Sequence, residues 1–165
     1  EVFALDLNCA IYHCVKKVQQ QLPYTDEVKS KWEAKLIEHV VAYIKHMTAI
    51  VNPTNTLYIA VDGVAPIAKI DQQRKRRYKS FYDNKFRNDL MEKYKIPHND
   101  CWSNVVITPG TKFMEKLDKS IREFINSHSE KAKIVYSSYK EEGEGEHKIY
   151  AYMKDKFKHL KVSDS

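Results

Sequence analysis

No apolar run in this chain approaches the roughly 18 residues that cross a bilayer, and no cationic, apolar and small-residue leader opens it. Neither a membrane span nor a secretory signal is expected, and an intracellular protein is. Cysteine is sparse: Cys9, Cys14 and Cys101 are odd in number and show no CxxC spacing. That argues against a disulfide framework or a cysteine zinc site, and predicts reduced, mostly buried thiols. There is no internal repeat and no low-complexity tract. The glycines of EGEGEHK at 142–148 form neither a GxGxxG turn nor a GK[ST] loop, so no nucleotide fingerprint is present.

What is present is a folded domain with its charge in one place. At 165 residues and 42% hydrophobic content the chain is long enough for one core. Between Lys69 and Arg87 lie eight Lys/Arg and two Asp, a surplus of six that equals the formal net charge of the whole protein. Lys69, Gln73, Arg76 and Arg77 recur at helical spacing and share one face. Ile70, Tyr78, Phe81 and Tyr82 lie on another, which is expected to dock on the domain and leave the donors outward. A solvated basic helix is the plainer alternative. Asp62, at the end of an apolar run just upstream, favours a site that holds a phosphate beside a metal ion.

Along the chain, residues 2–7 (VFALDL) read as a buried parallel strand carrying Asp6. Ile11, Val15, Val18 and Leu22 mark a helix that stops at Pro23. Asp26 is expected to cap a long helix striped by Trp32, Leu36, Val40, Ile44 and Met47, which Asn52-Pro53 ends. Residues 56–61 (TLYIAV) read as a second strand, followed by the basic helix and a polar loop around Pro97 to Asn104. Val105 to Ile107 reads as extended. Thr108-Pro109 opens a helix with Phe113, Leu117, Ile121, Phe124 and Ile125 inside, and Ala132 to Tyr136 is a third strand. A glycine-broken acidic turn, Glu141 to Glu146, leads to a last helix striped by Ile149, Tyr150, Met153, Phe157 and Leu160.

Strands alternating with helices predict an α/β fold with a parallel sheet flanked by helices. In such sheets the functional cleft lies beyond the carboxyl ends of the strands. The chain puts its acids there: Asp6, Asp62, and Glu144 with Glu146. Singly, each can be a helix cap or a satisfied acceptor. Four converging acids would repel one another unless a cation sat among them, and hard carboxylate oxygens suit Mg²⁺ or Mn²⁺. Residues i and i+2 diverge on a helix, so Glu144 and Glu146 converge only if Glu144 sits at or before the cap.

With those residues in view, the sequence resembles the XRN family of 5′→3′ exoribonucleases. The matching blocks are LDLNCAIYHC, AVDGVAPIAKIDQQRKRRYKSF, ITPGTKFMEKL and EGEGEHKI, in order over nearly the whole chain. The resemblance implies a PIN-like, flap-nuclease-like fold and removal of single nucleotides from single-stranded RNA bearing a 5′-monophosphate. It implies catalytic, metal-binding roles for Asp6, Asp62, Glu144 and Glu146, with two Mg²⁺ or Mn²⁺ ions in the complete domain. It implies a 5′-phosphate pocket of Lys69, Gln73, Arg76 and Arg77, and a ring at His13 that stacks on the terminal base; spacing alone makes His13 a helix-surface residue. The pattern departs from the family at Ile67, where an arginine is usual, and at Glu142, where a proline is usual. No M-G-x-P segment precedes Glu1, and no GxDxD-like run follows, since Asp164 between two serines does not match one. Residues 1–165 are therefore expected to be the N-terminal part of the nuclease domain, incomplete at both ends and with an incomplete metal cleft. A flap-type DNA nuclease and a non-catalytic RNA-binding module are the alternatives.

Overall fold

The computed structural model describes residues 2–96, 102–127 and 132–158. Its three short apolar runs form the strands β1 (Val2–Asp6), β2 (Thr56–Ala60) and β3 (Lys133–Ser137). They pair in the order β1-β2-β3, both pairs parallel, with Asp6 level with Ala60 and Ala60 level with Ser137. Helices α1 (Leu7–Gln21) and α2 (Lys29–Val51) connect β1 to β2. Helices α3 (Ile67–Lys93) and α4 (Lys112–Ser127) connect β2 to β3, and α5 (Gly145–Lys156) follows β3. The α/β parallel sheet with flanking helices read from the sequence is the architecture found.

All of β2 is buried, because it is covered on both faces. Strand side chains alternate, so Leu57, Ile59 and Val61 enter the core shared with α1, α2 and α4. Ile11, Val15 and Val18 fill it from α1, Trp32, Leu36, Val40 and Ile44 from α2, and Phe113, Met114, Leu117 and Ile121 from α4. Each such side chain stabilises the fold by about 1.5–3 kcal/mol relative to exposure. On the other face Tyr58 stacks on Tyr152 of α5, ring centroids 4.3 Å apart and 20° from parallel.

Several local expectations need correction. Asp26 caps no helix: residues Asp26–Val28 form a 3₁₀ turn, and α2 starts after Val28 without a side-chain cap. The tight turn leaves the Asp26 carboxylate upstream of the free amides, and it accepts from the Tyr24 hydroxyl at 3.1 Å. Met47 is only half-buried; Thr48 takes the inward place, its hydroxyl donating to the Ile44 carbonyl at 2.8 Å. Asn52 does end α2, in the left-handed conformation at φ 46°. Asn104–Val106 is a 3₁₀ turn rather than extended chain. The following helix starts at Lys112, not Thr108, with the Thr111 hydroxyl accepting from the Met114 amide.

The stripe assigned to the last helix is also turned around. Tyr150, Met153 and Phe157 are exposed and Ile149 is half-buried, whereas Lys148 and Tyr152 face the sheet. The reason lies in what β2 offers on that face, namely Thr56, Tyr58 and Ala60. Polar and aromatic groups there are matched by Lys148, Tyr152 and Lys156 at spacings of four, with Lys156 Nζ donating to Thr56 Oγ1 at 2.8 Å. Cys14 is buried but Cys9 is exposed. Leu160, Cys101, Asp164 and most of the loop around Pro97 lie outside the described residues.

Candidate functional site

Strand alternation and register put Asp6 and Asp62 on the face that carries α5. Asp6 ends β1 and caps α1, its Oδ1 accepting from the Asn8 amide at 3.1 Å. Asn8 then reaches across to the end of β2. Its Nδ2 donates to Asp62 Oδ2 at 2.8 Å, and its Oδ1 accepts from the Asp62 amide at 3.1 Å. The other Asp62 oxygen accepts from the Gly145 amide, the first of α5, at 2.7 Å. One carboxylate thus ties together three elements, and the positive end of α5 points at it.

Two loops close over this edge. Gly63 donates to the Gly143 carbonyl at 2.9 Å, and Gly143 donates back to the Val64 carbonyl at 3.0 Å. The loop after β3 runs so close that a β-carbon on Gly63 would overlap the Glu141 carbonyl oxygen. Gly143 turns the chain at φ 95°, a conformation glycine adopts without cost. Glu144 then sits as the extended N-cap of α5, as the convergence of Glu144 and Glu146 requires. Ligand atoms of Glu144, Glu146 and His147 lie within 4.8 Å of one another. Beneath them Lys148 is buried, its ammonium donating to the carbonyls of Val61 and Ser138, each at 2.8 Å. Burial lowers its pKa, against the opposing charges of Glu141 and Asp62.

The chemistry of this donor set suits a hard divalent cation. A β-carbon at Gly145 would stand 2.9 Å from Asp6 Oδ1, so glycine leaves the Asp6 carboxylate uncovered where the helix begins. Burial first, and then the charges of Asp62, Glu146 and Glu144, push the Asp6 carboxyl above its ordinary value, against the Asn8 amide that favours ionisation. A raised carboxyl is a cost to the fold that grows as pH rises from the ordinary value of 3.8 and is complete above the folded-state pKa. Asp6→Asn keeps a good cap and removes that cost. Without divalent cation it is expected to raise Tm near neutral pH by about 2–4 °C, the change that goes with about 1 kcal/mol in a domain of this size. The gain should fade as acid protonates Asp6; thermal melts at pH 4 and pH 7 check it, and an equal gain at both would point to the cap instead.

The basic helix meets this edge the opposite way round from the sequence expectation. No residue of α3 is buried, and Tyr78, Phe81 and Tyr82 are 63–64% exposed. Its polar side is the one turned inward. Lys69 Nζ donates to Glu144 Oε2 at 3.0 Å, Gln73 is half-buried, and Arg77 Nη2 donates to Thr108 Oγ1 at 3.2 Å. Cations are drawn to an edge lined with carboxylates, and that attraction orients the helix where apolar contact would have turned it over. Arg76 and Arg77 come near enough to Tyr12 of α1 to oppose the rise in its phenol pKa, which burial and then the Asp62 charge produce.

The structure therefore brings Asp6, Asp62, Glu144 and Glu146 to one edge, joins Lys69 directly to Glu144, and sets Arg76 and Arg77, like Asp62, within electrostatic reach of Tyr12. His13 is exposed on α1 with its ring centroid 6.2 Å from Tyr43. Among the described residues no hydrogen bond or ion pair joins it to the four acids. Sequence reasoning missed Asn8, Tyr12, His147 and Lys148. Asn8 was detectable, since a polar residue two positions after a strand-end aspartate, inside an apolar block, needs a buried partner.

The chain matches the sequence profile described as XRN 5′-3′ exonuclease N-terminus over residues 1–164. It is 32% identical over 165 residues to 5′-3′ exoribonuclease 1 of Saccharomyces cerevisiae, covering 95% of this chain and 10% of that protein. Against 5′-3′ exoribonuclease 1 of Homo sapiens the identity is 31% over 159 residues, covering 91% of this chain and 9% of that one. Against 5′-3′ exoribonuclease 2 of Aspergillus oryzae it is 33% over 171 residues, covering 91% and 16%. The chain thus spans about a tenth of the length of the first two relatives.

Proposed function

Because the chain belongs to the XRN 5′-3′ exonuclease family through that N-terminal region, we propose that it is the N-terminal part of a 5′→3′ exoribonuclease domain. Its substrate on this reading is single-stranded RNA with a 5′-monophosphate, degraded one nucleotide at a time. The observation that carries the reading is the direct contact between the two halves of the site, Lys69 on Glu144 at 3.0 Å. A cationic helix and an acidic cleft that touch can hold the end of an RNA and its first phosphodiester together. The relatives' names favour RNA over the flap-type DNA alternative.

Asp6, Asp62, Glu144 and Glu146 would hold Mg²⁺ or Mn²⁺, two ions in the complete domain. Bound there, such ions supply a water of lowered pKa and positive charge against that developing on the phosphate. The chain's own residues do the rest. Asn8 and the Gly145 amide orient Asp62, so one lone-pair direction on each oxygen is fixed by a hydrogen bond. The amide end of α5 faces the cleft and favours negative charge there. Lys69, Gln73, Arg76 and Arg77 would act as a gauge for the chain end: planar guanidiniums and an amide match a small terminal phosphate, and a cap or triphosphate would be too large or would leave donors mismatched.

Gln73→Ala and Arg76→Ala test this. A hydrogen bond to a charged group is worth about 1.5–3 kcal/mol, so each variant should lose roughly tenfold or more in kcat/KM on 5′-monophosphate RNA and little on 5′-hydroxyl RNA. Equal losses on both, with a reduced salt slope, would make the helix a general backbone attractor and the protein a binding module. Matched 5′-phosphorylated DNA decides between ribonuclease and flap-type nuclease.

A further inference from the structure

A lysine is an unexpected residue to find at 8% exposure beneath a cluster of acids, and the proposed chemistry makes no use of it. We propose that Lys148 is a positioning residue, whose ammonium fastens α5 to the ends of β2 and β3 and so sets where Glu144 and Glu146 stand relative to Asp62. Its two acceptors are informative. Val61 immediately precedes Asp62, and Ser138 immediately follows β3, at the start of the loop that delivers Glu144. One side chain on α5 therefore reads the positions of both strand ends from a single point.

The geometry leaves few other ties at this end of the helix. Toward its far end, α5 is held by the Tyr152–Tyr58 stack and the Lys156–Thr56 hydrogen bond. At the cleft end it is held by the Gly145 amide on Asp62, by Lys69 on the N-cap Glu144, by the Tyr58 hydroxyl on the Lys148 carbonyl at 3.4 Å, and by Lys148 on Val61 and Ser138, the tie that reaches both strand ends. The Lys148 ties lie one helical turn from Gly145, so slack in one shows in the other. A buried ammonium must keep its acceptors to offset its desolvation, which makes this tie directional where an apolar side chain would only fill space. A Met of similar length would pack at the same depth, remove the Lys148 donor from the Val61 carbonyl, and leave the Ser138 carbonyl with the Glu141 amide at 3.1 Å.

This inference rests on the proposed function for its meaning but not for its test. Lys148→Met is compared with Val40→Ala, a core change in α2 away from the cleft, under conditions of equal thermal stability. The first readout is hydrogen exchange at the Gly145 amide, whose protection comes from Asp62. Lys148→Met should speed that exchange several-fold more than Val40→Ala does. The second is Mn²⁺ affinity by calorimetry, expected to fall about 10–100-fold, as for other residues that orient ligands. Electrostatics alone predicts the reverse, because removing a nearby cation favours binding of another. Exchange no faster than in Val40→Ala, or Mn²⁺ binding that tightens or stays unchanged, overturns the proposal. If the unaltered chain binds no Mn²⁺, these four acids do not hold the ion by themselves, and the exchange measurement alone decides the clamp. Should Lys148→Met not fold, Lys148→Gln, whose amide nitrogen ends one atom short of the ammonium and cannot reach both carbonyls, is judged by the same readouts. Failure of both to fold makes Lys148 a residue of stability only and overturns its positioning role.

Discussion

In the full-length enzyme, on the proposed reading, alanine at position 62 is expected to stop phosphodiester hydrolysis while RNA with a 5′-monophosphate still binds. Charge stabilisation at a metal-bound phosphate is worth several kcal/mol, and about 4 kcal/mol is about a thousandfold in rate. Binding should be unchanged or slightly tighter, because α3 keeps its donors and one carboxylate leaves the path of a polyanion. Asp62 also anchors Asn8 and Gly145, so local slack contributes to the effect. Asp62→Asn separates the two, since it keeps size and some hydrogen bonding but removes the charge. Single-turnover decay in saturating Mg²⁺, beside a binding titration, measures both quantities. An unchanged rate in Asp62→Ala would remove Asp62 from the catalytic set.

Gly63→Ala should be as damaging to the fold as Asp62→Ala is to the chemistry. The new β-carbon would overlap the Glu141 carbonyl oxygen and lie 2.8 Å from its carbon. Both neighbours are backbone, so the loop itself must move and with it the paired hydrogen bonds of Gly63, Gly143 and Val64. Overpacking of this kind costs about 3 kcal/mol or more, which for a chain of this length lowers Tm by about 6–12 °C. Gly143→Ala provides the contrast. There a β-carbon meets nothing within 4 Å, but φ is +95°, a strain of about 1–2 kcal/mol. Thermal melts should rank Gly63→Ala well below Gly143→Ala; the reverse order would mean that the loop after β3 yields easily.

Much of this was legible because strand periodicity leaves little freedom. An acid at an even position of an apolar strand shares a face with the other even positions, and parallel register carries that face across the sheet, so Asp6 and Asp62 had to meet. Glu144 was legible through its glycines, since only an extended cap lets Glu144 and Glu146 converge. The faces of α3 were misread because periodicity reports which residues share a side and not which side wins. Ile70, Tyr78, Phe81 and Tyr82 make an ordinary docking stripe, yet Lys69 on Glu144 and Arg77 on Thr108 set the orientation. The stripe of α5 failed for a related reason: the partner surface around Tyr58 is aromatic and polar, so Lys148 and Tyr152 suit it better than Met153 or Phe157. Gly63 simply follows the strand-end aspartate in the sequence, and nothing local announces that Glu141, remote along the chain, lies against it.

The hydrogen bonds on Asp62 carry a consequence for the order in which the protein comes into being. Asn8 lies 54 residues before Asp62, and Gly145 lies 83 residues after it. No short stretch of chain can assemble this cleft, and each closure must first meet the loop entropy of the segment between. The cationic helix is another matter, since its charge is local to residues 69–87 and is present as soon as that stretch is made. During synthesis, on the proposed reading, the growing chain attracts phosphate while its acids are still scattered. These four acids can gather only after α5 has emerged and brought the Gly145 amide onto Asp62.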